Sequence, residues 1–243
     1  MKTRIFSLLI VLLVAQAASA EPYWAQLGLQ VSVPDTPKMV AAMDKLMGSK
    51  VGKTFPGRML LQSNVADGAD PATHTVVPIY KSAEDRENFV KRLQASSEWA
   101  EFQATLDSLG EPGGTILYRN ARSWGDINDT DSVWMAHAFS VTDPATFAAA
   151  MDAFMTSETG KKGPGQVYLS GVVAGGISPV SHVVSVGYAS TTEMAAWLSA
   201  RDASADWKTF LQAAGKAGTY LGATMAVDVK TYGSLSMKEV VAP

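Results

Sequence analysis

The chain has 243 residues, 47% hydrophobic and 18% charged, with 20 Lys and Arg against 23 Asp and Glu and no cysteine. This composition excludes a disordered tail, a collagen-like chain and a disulfide-stapled mini-scaffold. A formal net charge of −3 gives no electrostatic reason to expect nucleic acid as a partner, and the length suffices for one large domain or two small ones.

Residues 1–20, MKTRIFSLLIVLLVAQAASA, open with Lys2 and Arg4, continue in an apolar run from Ile5 to Val14, and end in Ala18-Ser19-Ala20. That order is a secretory signal peptide with its cleavage site before Glu21. The apolar run is short for a bilayer span, which takes roughly 20 residues. No cysteine follows the small residues, so a lipid anchor is excluded. Cleavage would leave 243 − 20 = 223 residues with a charge of (20 − 2) − 23 = −5. The mature protein is expected to be soluble, periplasmic or secreted, with no membrane contact. The lack of cysteine suits an oxidising compartment.

Leu27, Leu29, Val31 and Val33 alternate along 26–33, which predicts a strand. Pro34-Asp35-Thr36-Pro37 then offers a helix start, and Met39, Val40, Met43, Leu46 and Met47 recur at helical spacing. A loop over 48–57 ends in Pro-Gly. Residues 58–66 and 73–81 alternate again around a turn at 67–71, a β-hairpin. Ser82 caps a second, longer helix to about residue 108, with Phe89, Leu93, Trp99, Phe102 and Leu106 as its buried stripe. Gly110 to Gly114 stops it, and 115–122 is a last strand. The order is βαββαβ.

That order then repeats. Shifting the chain by 207 − 99 = 108 residues places 31–125 on 139–233 without a gap, so that Trp99 meets Trp207, Phe102 meets Phe210 and His74 meets His182. A period this long exceeds the 20–50 residues of solenoid units, so each half is domain-sized. The second half reads strand 133–141, helix 144–157, strands 165–174 and 181–189, helix 190–214 and strand 222–231. The organisation is a signal peptide at 1–20, a first ferredoxin-like repeat at 21–125, a polar linker at 126–132, a second repeat at 133–233 and a C-terminal tail at 234–243. The fold class is α+β.

The text Ser82…Arg86…Phe89…Ser96-x-x-Trp99-x-x-Phe102, on a βαββαβ frame, resembles the dimeric α+β barrel superfamily. Its members include NIPSNAP-like, EthD-like and antibiotic-biosynthesis-monooxygenase-like proteins. The resemblance implies that the two repeats pair their sheets into one barrel inside a single chain, so a monomer with an internal pseudo-dimer is expected. It also implies a menu of activities: cofactor-free oxygenases, haem-handling enzymes, lyases and proteins without assigned chemistry. Fold alone does not choose among them.

Few motifs carry chemistry. Gly48-Ser-Lys-Val-Gly52-Lys53-Thr54 lacks the first glycine of a phosphate-binding loop and precedes a strand, so it reads as an exposed basic loop. No nucleophile elbow, zincin helix or dinucleotide fingerprint occurs. His74 and His182 each share a strand face with a tyrosine, Tyr80 and Tyr188. Each pair reads either as a pocket lining, with imidazole as base or haem ligand, or as an inherited structural histidine bonded to its preceding turn. His137 stands where the first half has Leu29, which breaks the symmetry. The three histidines are not placed to converge, so no metal site is expected. Trp99, Trp207, Phe102 and Phe210 read as core anchors or as a pocket wall.

Two functions stay open. One is an exported barrel that binds a small apolar molecule with no catalytic motif. The other, implied by the resemblance, is a cofactor-independent or haem-dependent oxygenase using His74 and Tyr80 or His182 and Tyr188. No cofactor is expected under the first, and haem is an option only under the second. Gly187 in place of Ile79, beside His137, His182 and Tyr188, points to a pocket in the second half. The plainer reading is that Gly187 relieves crowding against Trp197.

Overall fold

A computed structural model describes residues 21–68, 70–176 and 179–242, so the signal peptide expected at 1–20 lies outside the described residues. The first half runs β1 (Tyr23–Val31), α1 (Thr36–Gly48), β2 (Gly57–Ala66), β3 (His74–Tyr80), α2 (Ala83–Gln94), α3 (Ser97–Leu109) and β4 (Gly110–Gly125). The second runs β5 (Val133–Val141), α4 (Pro144–Met155), β6 (Gln166–Ala174), β7 (His182–Tyr188), α5 (Thr191–Ala203), α6 (Ala205–Ala217) and β8 (Gly218–Tyr232), and a short helix α7 (Met237–Val241) ends the chain.

The strands pair in the order β1-β3-β2-β8-β5-β7-β6-β4 and close on themselves through β4 and β1. Each half is thus a four-stranded sheet of ferredoxin-like order, and two seams join them. β2 pairs with β8 from Met59↔Tyr232 to Ala66↔Met225, and β4 pairs with β6 from Leu117↔Ala174 to Gly125↔Gln166. Both seams are antiparallel, and among the described residues no sheet edge is left to template aggregation.

Period-2 alternation sends each strand's residues to two different places. Met59, Leu61, Val76 and Tyr80 face the helices of the first half, and Val167, Leu169 and Val184 face those of the second. Leu60, Val77, Ile79 and Tyr168 point the other way, into the barrel.

Each long helix of the sequence reading is two helices. Ser96 and Ser204 take extended backbone and break the run, and each side chain accepts the amide N–H of the tryptophan three residues on, at 3.2 Å for Trp99 and 3.1 Å for Trp207. The Ser-x-x-Trp spacing is an N-cap. The glycine run expected to end the helix belongs to β4, which begins at Gly110 rather than 115. The loop containing Gly52 is a tight turn. A Cβ on Gly52 would meet the Leu46 carbonyl at 2.1 Å, and one on Gly160 would meet the Phe154 carbonyl at 2.0 Å, so both repeats keep glycine there.

The tail at 234–243 holds α7, which is a plug. Ser236 and Glu239 form a capping box, and Met237, Val240 and Val241 are buried against the barrel lining. The connection at 126–132 is itself anchored. Asp129 accepts the Met237 amide at 2.8 Å and pairs with Arg58 at 3.2 Å.

Candidate functional site

The two helix-covered cores differ at a handful of aligned positions. In the first half Phe55, 4% exposed, fills the space between α1, α2 and the sheet, with its ring 5.4 Å from Tyr80 and 5.0 Å from Phe89. The position 108 residues on is Gly163. Its backbone (φ −58°, ψ 129°) nearly matches that of Phe55 (φ −63°, ψ 118°), so the exchange removes a side chain without changing the path of the chain. Leu106 is likewise replaced by Ala214. A cavity of about 280 Å³ opens there, under α4, α5 and α6.

Its walls are apolar. Phe154, Trp207 and Phe210 form one side, with ring centroids 4.8 to 5.4 Å apart. Leu211 and Tyr220, 51% and 54% exposed, also line it and mark its mouth.

Three polar side chains converge on this apolar space: His137 from β5, Tyr188 from β7 and Arg201 from α5. His137 Nε2 and the Tyr188 hydroxyl are both buried with no hydrogen-bond partner, although buried polar atoms are ordinarily paired. Burial, reinforced by the Arg201 charge, pushes the His137 imidazole down to about 4, so it is neutral at pH 7. Burial pushes the Tyr188 hydroxyl up to about 12 and keeps it protonated, as a donor. Arg201, its side chain 14% exposed, stacks 4.1 Å over Trp207 and pairs with Asp202 at 2.8 Å. The aligned first-half residues are Leu29, Tyr80 and Leu93, so the half that lost volume to Phe55 also lacks two of the three polar groups.

Of the residues expected from sequence, the structure brings together His137 and Tyr188. His182 and His74 lie on the helix side of their sheets but do not line this cavity. His182 Nδ1 sits 3.0 Å from the Ser181 hydroxyl. His74 bridges Thr73 and Thr36, at 2.9 and 3.2 Å. Tyr80 packs in the first core against Phe55. Gly187 does not widen the pocket, and it does not relieve Trp197 either. Its absent Cβ would meet the Asp131 carboxylate at 2.7 Å, on the other face of the sheet. Asp131 is buried there and accepts from the Gln166 side chain at 3.0 Å. Sequence reasoning missed Arg201 and Gly163. The signal for both was their alignment with Leu93 and Phe55.

No group of three or more His, Cys, Asp or Glu side chains that could hold a metal occurs among the described residues, and no described helix is long and apolar enough to cross a membrane.

No family model and no curated protein matches the sequence. Solved structures do. A "putative monooxygenase" from Lactobacillus acidophilus superposes with a TM-score of 0.62 at 13% identity, over 89% of this chain and 98% of the other. An anthrone oxidase-like protein gives 0.58 at 16% identity, over 93% and 97%. A haem-binding protein from Thermus thermophilus gives 0.54 at 9% identity, over 86% and 92%. The likeness is one of fold: this is a dimeric α+β barrel, with both halves carried in one chain.

Haem needs an iron ligand and partners for two propionates. His137 Nε2 suits the first need. Arg201 is the one Lys or Arg among the cavity's lining residues, so a second propionate would find no cationic partner there. The donor set therefore does not fit haem.

The His137 shift carries a sign. The unfolded chain takes up this proton near pH 6.5 and the fold resists it until about pH 4, so stability falls as pH drops through that window and levels off below it. The loss attributable to His137 is on the order of 3 kcal/mol. His137→Leu is expected to be more stable than the parent at pH 7 by about 1–3 kcal/mol, because a buried unpaired nitrogen is removed. The gap should widen toward pH 4 in urea titrations. A variant that tracks the parent at every pH would contradict this placement of His137.

Proposed function

We propose that the second-half cavity binds a small, mostly apolar molecule through one acidic group. The observation that carries this is the convergence of Arg201 with two unpartnered polar atoms, His137 Nε2 and the Tyr188 hydroxyl, inside otherwise apolar walls. Arg201 pairs with the ligand anion, the tyrosine hydroxyl donates to it, and the neutral imidazole completes the polar end. The aromatic wall and the exposed Leu211 and Tyr220 at the mouth accommodate the rest of the ligand.

A second reading, cofactor-independent oxygenation, is favoured by the free Nε2 of a neutral imidazole facing the same space and by the anthrone oxidase-like fold relative. In it His137 takes a proton from the substrate, Arg201 holds the resulting anion, and the substrate itself supplies the electrons that reduce oxygen. An imidazole held near 4 is a weak base at neutral pH, which places this reading second.

1-Naphthoate and its uncharged analogue 1-naphthalenemethanol separate the contributions. Arg201→Leu is expected to weaken naphthoate at least tenfold and leave the alcohol unchanged, while Gly163→Phe abolishes both. Naphthoate affinity unmoved by either variant would rule the cavity out. Oxygen uptake with 1,4-dihydroxynaphthalene, lost in His137→Leu, would move the assignment to the second reading.

The mature chain is proposed to be exported and to act as a monomer. Export rests on the 1–20 sequence, and the monomer rests on both barrel seams lying within one chain. Exported protein should begin at Glu21 and sediment as a single chain. An intact leader would refute export, and a stable dimer would refute the monomer.

A further inference from the structure

The barrel has a second interior space, on the opposite face of the sheets from the cavity above. It measures about 120 Å³. A single water needs roughly 10–15 Å³ on this measure, so there is room for a small ring. Met237 and Val241 of α7 border it.

The chamber has aromatic and amide walls. Trp24 is held flat on Tyr118, with centroids 4.0 Å apart and planes at 12°, and its indole N–H donates to Ser170 at 2.9 Å. Trp134 and Tyr168 lie at 24° with centroids 6.5 Å apart. Gln62 donates through Nε2 to Asp228 Oδ1 at 2.9 Å, which leaves its amide oxygen uncommitted. The Ser185 and Thr224 hydroxyls also border the space.

Charge distinguishes the two spaces. The chamber is bordered by Asp67 and Asp70, with Asp228 behind Gln62, and by no Lys, Arg or His. The first cavity is bordered by Arg201 and His137 and by no Asp or Glu. Carboxylates and free amide or hydroxyl oxygens accept hydrogen bonds, and aromatic faces attract cations. An anion would meet no cation among the bordering residues, and the one buried donor there without a partner is the Trp134 indole N–H, a single neutral group.

We propose that the barrel interior is a second binding site, for a compact aromatic molecule bearing N–H donors, cationic or neutral, and that it excludes anions. Trp24 and Trp134 give the ring its apolar surface, and Gln62, Ser185 and the Asp228 side take the donors. The site is independent of the Arg201 cavity.

Benzamidine and benzoate carry the same ring with opposite charge, and the ¹⁵N-labelled indole N–H signals of the six tryptophans report where each binds. Benzamidine is expected to shift the Trp24 and Trp134 signals saturably, and benzoate to leave them in place. Ser185→Leu, which fills the chamber, should abolish the benzamidine response, and Gly163→Phe should not. If Ser185→Leu does not fold, Asp228→Asn keeps the shape and should weaken benzamidine at least tenfold. Chamber indoles that ignore benzamidine, respond equally to benzoate, or respond equally in Asp228→Asn would overturn the proposal.

Discussion

Each four-stranded half has its own helices over one face only. The other face carries Leu60, Val77 and Ile79 in the first half and Tyr168 in the second, side chains that an isolated half would leave in water. Each half would also expose the edge strand that now forms a seam, β2 and β4 in one and β6 and β8 in the other. Joining the sheets at β2–β8 and β4–β6 removes both liabilities. Fusion of the two units in one chain makes that joining intramolecular. It also frees the halves from being identical, since a mutation in one unit is no longer copied into its partner.

The second half uses that freedom. Phe55, Leu106, Leu29 and Leu93 make the first core dense, and Gly163, Ala214, His137 and Arg201 take their places in the second. Each exchange lowers stability by a known route: lost contacts, a cavity, a buried unpartnered nitrogen, a desolvated cation. Four costly exchanges at one spot, each opening or polarising the same space, fit a binding site better than drift. His74 and His182 show the contrast. They were kept in both halves, and in both they bond the residue before them, which is a structural task that symmetry permits.

Much of the fold was legible because alternation and the 108-residue shift are strong signals. The helix breaks at Ser96 and Ser204 were not, because the apolar stripe from Phe89 to Leu106 continues at helical spacing across the break and hides the cap. α7 was passed over as a tail, although Ser236 with Glu239, and Met237 with Val240 and Val241, carry a capping box and a helical apolar face within Ser236–Val241. At the site, His137 stood out as a polar residue on an apolar strand. Gly163 lies in a loop where glycine is unremarkable, so only its partner Phe55 reveals it. Gly187 was misassigned because sequence gives the alternation of a strand but not what covers each face, and its space belongs to Asp131.

The reciprocal pair Phe55→Gly and Gly163→Phe tests whether one position decides which half is open. The two backbones are nearly superimposable there, so the backbone tolerates a side chain at 163. A Cβ there would lie 3.0 Å from the Gly160 carbonyl oxygen and 3.6 Å from the Trp197 ring, which must shift to admit the phenyl. Unfolding free energies from urea titration at pH 7 are the measurement. Phe55→Gly should destabilise by about 3–5 kcal/mol, as emptying a packed core site does, and Gly163→Phe should stabilise by filling a void. Opposite signs are expected. Destabilisation by both, with Gly163→Phe costing as much as its reciprocal, would mean that the second core is already closed and that the cavity is not a feature of the folded protein.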